Sequence, residues 1–217
     1  MKDLERYSTQ LTLFNPEKYE NKSVSIVGVG SIGSFTAIVL AKMGISTLNV
    51  YDDDTIENHN IPNQFYMKKQ IGQKKTSALK TIVTEFSDAK IFCGGKVTTK
   101  TTLMSDIIIA CTDSMESRKL AYKNSKLANY FIDARMSGNT YRIYTLDLTN
   151  KKDREDYEKT LYSDKNSDKG LCTEKTIVYN VSEIAGKIGN QVRKLLNGEK
   201  YSHCIIYDFQ NDVLIKK

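Results

Sequence analysis

Gly28, Gly30 and Gly33 are spaced as G-x-G-x-x-G, with Val29, Ser31 and Ile32 between them. They follow a β-branched run and open a segment of helical composition. Glycines at such places permit a tight turn and close approach of a ligand to the backbone, and the free N–H groups of the following helix start favour a phosphate. The spacing alone serves helix packing as well as a ligand; the strand–loop–helix setting points to a nucleotide. Asp52 falls 19 residues after Gly33, at the end of the next strand-like run, where a carboxylate can hold ribose hydroxyls. Up to this point ATP and NAD are served equally.

The elements that would position these residues read as alternating strands and helices. Residues 23–29 (SVSIVGV) form a buried-strand pattern, residues 31–43 a helix closed by Gly44, and residues 47–51 a second strand. A helix is predicted over 74–86, a strand over 106–111 (DIIIAC), a helix over 114–128 and a strand over 130–134. This alternation implies an α/β, Rossmann-like, mostly parallel sheet with helices on both faces. Antiparallel strands near 140–147 and at the C-terminus extend it. Residues 150–169 are highly charged and read as a mobile excursion. Val181, Ile184, Ala185, Ile188, Val192 and Leu195 recur at helical spacing, with Gly198 as the stop. Residues 204–207 and 213–215 read as a closing hairpin around Gln210-Asn211-Asp212.

The 217 residues include two prolines and no repeat or low-complexity linker, which suggests one continuous fold. No run nears the roughly 18 apolar residues of a membrane span, and residues 1–12 lack the apolar core of a secretion signal. The four cysteines, Cys93, Cys111, Cys172 and Cys204, form no C-x-x-C pair, so neither structural zinc nor a disulfide framework is expected. These features suggest a cytoplasmic protein. The net charge of +6 is spread as isolated lysines, which fits a solvated surface better than a nucleic-acid site.

The residues after Asp52 separate ATP from NAD. Asp52-Asp53-Asp54-Thr55-Ile56-Glu57, then Asn60 and Gln64, resembles the D-x-D-x-V/I…N-x-x-R/Q-Q stretch of the ThiF/MoeB/HesA family, the ubiquitin-activating-type adenylyltransferases. Gly72-Gln73-Lys74-Lys75 is similar to its G-x-x-K, Cys111-Thr112-Asp113-Ser114 to its C-T-D-N/S, and Arg6-Tyr7-Ser8-Thr9-Gln10 to its R-Y-x-R-Q. The resemblance runs from about residue 4 to 148 and resumes, more weakly, at Cys172. It implies a single ThiF-type domain over 1–217, with a nucleotide-binding core over 1–148 and an extension over 149–217. It also implies ATP-dependent adenylation of the C-terminal carboxylate of a ubiquitin-like protein, a sulfur carrier or a peptide, by a homodimer.

By motif, Gly28, Gly30, Ser31, Ile32, Gly33, Asp52 and Asp54 would line the ATP site. Asn60 would orient the phosphates, Lys75 would neutralise their charge and Asp113 would hold Mg²⁺ through ATP. Cys172 falls where relatives carry an acyl-accepting cysteine. Two family arginines are replaced, by Thr9 and Asn63. Adenylation would then need another cation, and Arg135, just past the predicted strand 130–134, is the first candidate, with Arg6 the second. The apolar stripe from Val181 to Leu195 and residues 4–13 are candidate dimer surfaces. Two other readings stay open: a family member that binds nucleotide or a partner without catalysis, and an NAD-dependent oxidoreductase, although no hydride-transfer constellation is evident.

Overall fold

The computed structural model describes residues 4–162 and 177–217. Strands β1 (Ser23–Val27), β2 (Thr47–Tyr51), β3 (Lys90–Gly94), β4 (Ile107–Ala110) and β5 (Tyr130–Ser137) precede β6 (Thr140–Asp147), β7 (Cys204–Asp208) and β8 (Val213–Lys216) in the chain. They form one sheet in the order β3-β2-β1-β4-β5-β6-β7-β8. The strands from β3 through β5 are parallel, and β6, β7 and β8 add antiparallel pairs.

Strand geometry sends successive side chains to opposite faces of the sheet, and so to two layers. Ile26, Ile107, Ile109 and Ile132 join one cluster with residues of α1 (Ser31–Met43), α2 (Lys75–Thr84) and α5 (Val178–Asn197). Val27, Ile108, Ala110 and Phe131 join the other, with Ala121 of α3 (Met115–Lys123) and Tyr157 of α4 (Lys151–Glu158). Both faces of the parallel strands are therefore covered, which is why they read as continuous apolar runs. The helix stops are those expected: Gly44 (φ 90°) and Gly198 (φ 68°) adopt the left-handed conformation that ends α1 and α5.

Four sequence expectations need correction. Residues 151–158, expected within a mobile charged excursion, form α4. Asn150 caps it by accepting from the Lys152 and Asp153 amides, and the helix buries Tyr157 completely beneath its charged residues. The helix predicted over 114–128 ends at Lys123, and its cap is Ser114. The strand predicted over 130–134 continues to Ser137, because its pairing with β6 carries on through Arg135↔Arg142. Finally, the apolar stripe of α5 is no dimer surface. Val181, Ile184, Ala185, Ile188 and Val192 are fully buried within the chain. The helix packs so closely on α1 that a Cβ on Gly189 would lie 2.7 Å from the Val39 side chain.

Candidate nucleotide site

β1 is the strand at which the sheet reverses its order of growth, with β2 on one side and β4 on the other. The crevice beyond the carboxyl ends of β1 and β4 is a topological switch point, where open α/β sheets bind ligands. The glycine loop leaves β1 there, and Cys111-Thr112-Asp113 leaves β4. The two loops touch. Gly28 has φ 84°, and a Cβ on it would lie 2.8 Å from the Cys111 carbonyl oxygen. Gly33 is held by a different constraint: its Cβ would lie 1.9 Å from the Gly28 carbonyl oxygen. Gly30 is the N-cap of α1 and supplies no side-chain cap, so the first N–H groups of Ser31, Ile32 and Gly33 lack that partner. That leaves donors for an anion.

Asp52 braces the loop directly. Its Oδ2 accepts from the Val29 amide at 2.8 Å and its Oδ1 from the Asp54 amide at 2.9 Å. A carboxylate has lone-pair capacity beyond two such bonds, so it can still accept a ribose hydroxyl. From Asp54 the chain of contacts runs on to Lys75, whose Nζ lies 2.7 Å from Asp54 Oδ2. The lysine side chain is 7% exposed and the aspartate 65%. The two motifs that contribute this pair form one folded unit. Ile56 N donates to Gln73 O, Gly72 N to Ile56 O and Lys75 N to Asp54 O, with a bridge between Thr55 and Lys74. Gly72 takes φ 86° to make that turn. One carboxylate oxygen from each of Asp52, Asp53 and Asp54 lies within 4.8 Å of the others. Lys74, donating to Asp53 O at 2.6 Å, and Lys75 offset part of that negative charge.

Asn60 is buried in a 3-10 turn, where its Oδ1 accepts from the Glu57 amide at 2.8 Å. Its amide nitrogen makes no hydrogen bond among the described residues. Asp113 is exposed. It is not the cap of α3, a role Ser114 fills by accepting from the Ser117 amide at 3.1 Å. Its carboxylate makes no ion pair among the described residues, so a hard oxygen donor stands at the β4 end of the crevice. That donor type suits Mg²⁺.

Sequence reasoning missed two features. Tyr66 donates to the Val29 carbonyl at 2.7 Å and fixes the glycine loop from the far side. Its hydroxyl is pushed far above the usual range by burial, and by Asp52 and Asp54, so it remains a donor. The second feature is a buried ionic cluster behind Asp113. Asp133, fully buried, receives Arg118 Nη1, Arg135 Nε (2.7 Å) and the Tyr157 hydroxyl (3.0 Å). Burial, with a further push from Arg135, lowers Arg118 to about 10, which leaves it charged at neutral pH. A charged residue amid the apolar run Tyr-Phe-Ile-Asp-Ala was the available signal.

Arg135, expected to leave the sheet toward a ligand, instead lies within β5 with its guanidinium occupied internally. It also holds Thr160 through the carbonyl (3.0 Å) and hydroxyl (2.9 Å), and it stacks 4.5 Å from the Tyr144 ring centroid. Its pair with Asp133 is buried. Arg6 pairs with Asp88 at 2.7 Å, beside the start of β3 and so at the opposite end of the sheet from the crevice of its own chain. Cys172 lies outside the described residues.

The ThiF family model matches residues 7–212. The chain belongs to the ThiF family. Among curated relatives, a ubiquitin-like modifier-activating enzyme 5 of Culex quinquefasciatus is 31% identical over 120 residues, covering 47% of this chain and 30% of that protein. The Oryza sativa subsp. japonica protein of the same name is 41% identical over 64 residues, covering 30% and 15%. The chain thus matches well under half the length of these relatives. Solved structures share the ThiF fold: PaaA (TM-score 0.76, 19% identity, covering 99% of this chain and 82% of that one) and E. coli MccB with ATP (TM-score 0.77, 18%, covering 98% and 70%). MccB, titled a microcin C7 biosynthetic enzyme, in complex with N-formylated MccA gives 0.79 at 18%, covering 98% and 71%. Among the described residues no helix is long and apolar enough to cross a membrane.

Proposed function

We propose that this protein adenylates the C-terminal carboxylate of a ubiquitin-like protein, a sulfur carrier or a peptide. A carboxylate oxygen attacks the α-phosphorus of ATP; the bond to the bridging oxygen breaks; acyl-adenylate forms and pyrophosphate leaves. One observation supports this above the others: an unbroken set of contacts from the glycine loop through Asp52 and Asp54 to the buried Lys75 Nζ. It sets a cation beside the loop suited to phosphates. The contact set is built from the acidic and lysine motifs that a plain dinucleotide fold does not need, which favours ATP over NAD.

Nucleotidyl transfer asks a protein for positioning and charge neutralisation rather than covalent chemistry. Gly28, Gly30 and Gly33, with the amides of Ser31 and Ile32, would hold phosphates. Asp52 would take the ribose, Asp54 would orient Lys75, and Asn60 would offer its amide nitrogen to the phosphates. Lys75 would neutralise charge building at phosphorus. Asp113 would hold Mg²⁺, which supplies further charge neutralisation when bound. Cys172 would accept the acyl group from the adenylate as a thioester, releasing AMP. We include a homodimer in the proposal, as in relatives whose site is completed across a two-fold axis; Thr9 and Asn63 stand in both copies where such relatives carry arginines. The surface of residues 4–13, with Leu13 65% exposed, is open for it.

The same two replacements favour a second reading, a family member that binds nucleotide and partner without catalysis. Calorimetry with Mg–ATP and with NAD tests the nucleotide assignment. Binding of Mg–ATP that is lost in Lys75→Ala supports it; binding of NAD with no response to ATP rejects it.

A further inference from the structure

The buried cluster of Arg118, Asp133, Arg135 and Tyr157 has no place in the roles above, yet it lies directly behind the turn that carries Asp113. Arg118 spans the gap. Its Nη1 donates to Asp133 Oδ1 and, at 3.1 Å, to the Ala134 carbonyl, while Nη2 donates to the Thr112 carbonyl at 2.6 Å. The turn is fastened on either side of that bond. Cys111 N donates to Val27 O at 2.8 Å before it, and Ser114 caps α3 after it. Asp113 is left as the exposed residue between three anchored neighbours.

As a stabilising device the cluster is poor. Burying two guanidinium groups and a carboxylate carries a desolvation cost that ion pairing often fails to recover, and apolar side chains of like size frequently do as well. The Arg118 Nε, moreover, is buried without a partner among the described residues. What apolar residues could not reproduce is the planar fork that reaches a carboxylate and a backbone carbonyl at fixed separation. A lysine at 118 would keep the charge but present one nitrogen where two are used.

We infer that Arg118, oriented by Asp133, is a positioning residue that fixes the Asp113 carboxylate for Mg²⁺. Arg135 and Tyr157 hold Asp133 from the other side, and Arg135 ties it to Thr160 at the end of α4. Neither arginine meets the ligand; each acts through the residue it holds. The inference rests on the proposed assignment of Asp113 to the metal of Mg–ATP.

Asp133→Asn would leave two buried arginines without their anion and risks unfolding, so the decisive variant is Arg118→Lys, which keeps a cation beside Asp133. Three readouts are taken on the full chain: melting temperature, amide hydrogen exchange of a peptide covering residues 111–118, and ATP affinity by calorimetry with and without Mg²⁺. In wild type, Mg²⁺ should strengthen ATP binding. In Arg118→Lys, ATP affinity without metal should match wild type and the gain from Mg²⁺ should fall about tenfold or more, the usual scale when a residue supporting a metal ligand is lost. Exchange over 111–118 should quicken while β4 stays protected. Arg118→Lys that only melts lower, with wild-type exchange in the turn and a wild-type gain from Mg²⁺, overturns the positioning role. Wild type that binds ATP with no response to Mg²⁺ overturns instead the metal assignment beneath it, whatever the turn does.

Discussion

Placing a methyl group on Gly33 tests the construction of the glycine loop at its tightest point. In Gly33→Ala the new Cβ would lie 1.9 Å from the Gly28 carbonyl oxygen, 2.9 Å from its carbon and 3.3 Å from Ile26 Cγ2. The Cβ and oxygen would have to part by more than 1 Å to reach van der Waals contact near ~3.3 Å. Neither side yields freely. Gly33 belongs to the first turn of α1. The Gly28 amide is bonded to Tyr51 O at 2.8 Å, and the next amide, Val29, to Asp52. Overpacking of this kind costs about 1–3 kcal/mol, and the backbone identity of the clash puts it at or above the upper end. At roughly 2–4 °C per kcal/mol for a chain of this size, melting should fall by about 6–12 °C. ATP affinity should fall more than tenfold, because the α1 amides and Val29 move together. Gly30→Ala is the control for unfolding. Its nearest neighbour would be Gln64 Nε2 at 3.9 Å, so the methyl group adds no clash and only the backbone (φ −71°, ψ −139°) is less suited to a side chain; melting should fall by less than in Gly33→Ala. Differential scanning fluorimetry and calorimetry with Mg–ATP read both variants. Gly33→Ala with wild-type melting and wild-type ATP affinity would refute the reasoning.

Other outcomes follow from the same geometry. Lys75→Met should lower the rate of adenylate formation by on the order of 10²–10³ at saturating Mg–ATP, the loss typical of one preorganised charge donor, and a rate within threefold of wild type would remove Lys75 from the reacting centre. Cys111 should resist iodoacetamide at pH 8 while exposed Cys93 labels: burial pushes the Cys111 thiol up to about 12, against smaller opposing pulls from Arg118 and Thr36, so the reactive thiolate is scarce until the pH nears that value. Comparable labelling of the two in the native protein would contradict that burial. Cys172→Ser should leave pyrophosphate release intact and abolish a thiol-labile adduct with the partner; an adduct that persists would place the acyl acceptor elsewhere. Light scattering at high micromolar concentration should show a dimer, and a strict monomer would count against the two-fold proposal.

The sequence made legible what depends on local pattern. The continuous apolar run of Ile107 to Ala110, the glycine stops at Gly44 and Gly198 and the hairpin at 210–212 each announce themselves in the chain. So does the order of the motifs, which places Gly28, Asp52 and Asp113 beyond the ends of β1, β2 and β4. What escaped depends on partners distant in sequence. The charged stretch after Asn150 looks unable to pack, and one residue, Tyr157, decides otherwise by entering an aromatic cluster with Tyr122, Phe131 and Tyr144. The α5 stripe is apolar enough for a dimer surface, and only the close approach of Gly189 to α1 shows where it goes. Arg135 reads as a free cation past a strand; Asp133 in its apolar run hints at a buried carboxylate, but only the fold shows that it is fully buried and draws in both Arg118 and Arg135.

The central claim is adenylation, and ATP–pyrophosphate exchange addresses it most directly. The carboxylate donors are small proteins ending in Gly-Gly, or peptides, shown first to bind the chain. With Mg–ATP and such a donor, labelled pyrophosphate should enter ATP at a rate that depends on the donor's free C-terminal carboxylate and disappears in Lys75→Ala. A donor that binds with Mg–ATP present, yet supports no exchange by the wild-type protein, would contradict adenylation and leave the chain as a binding member of its family.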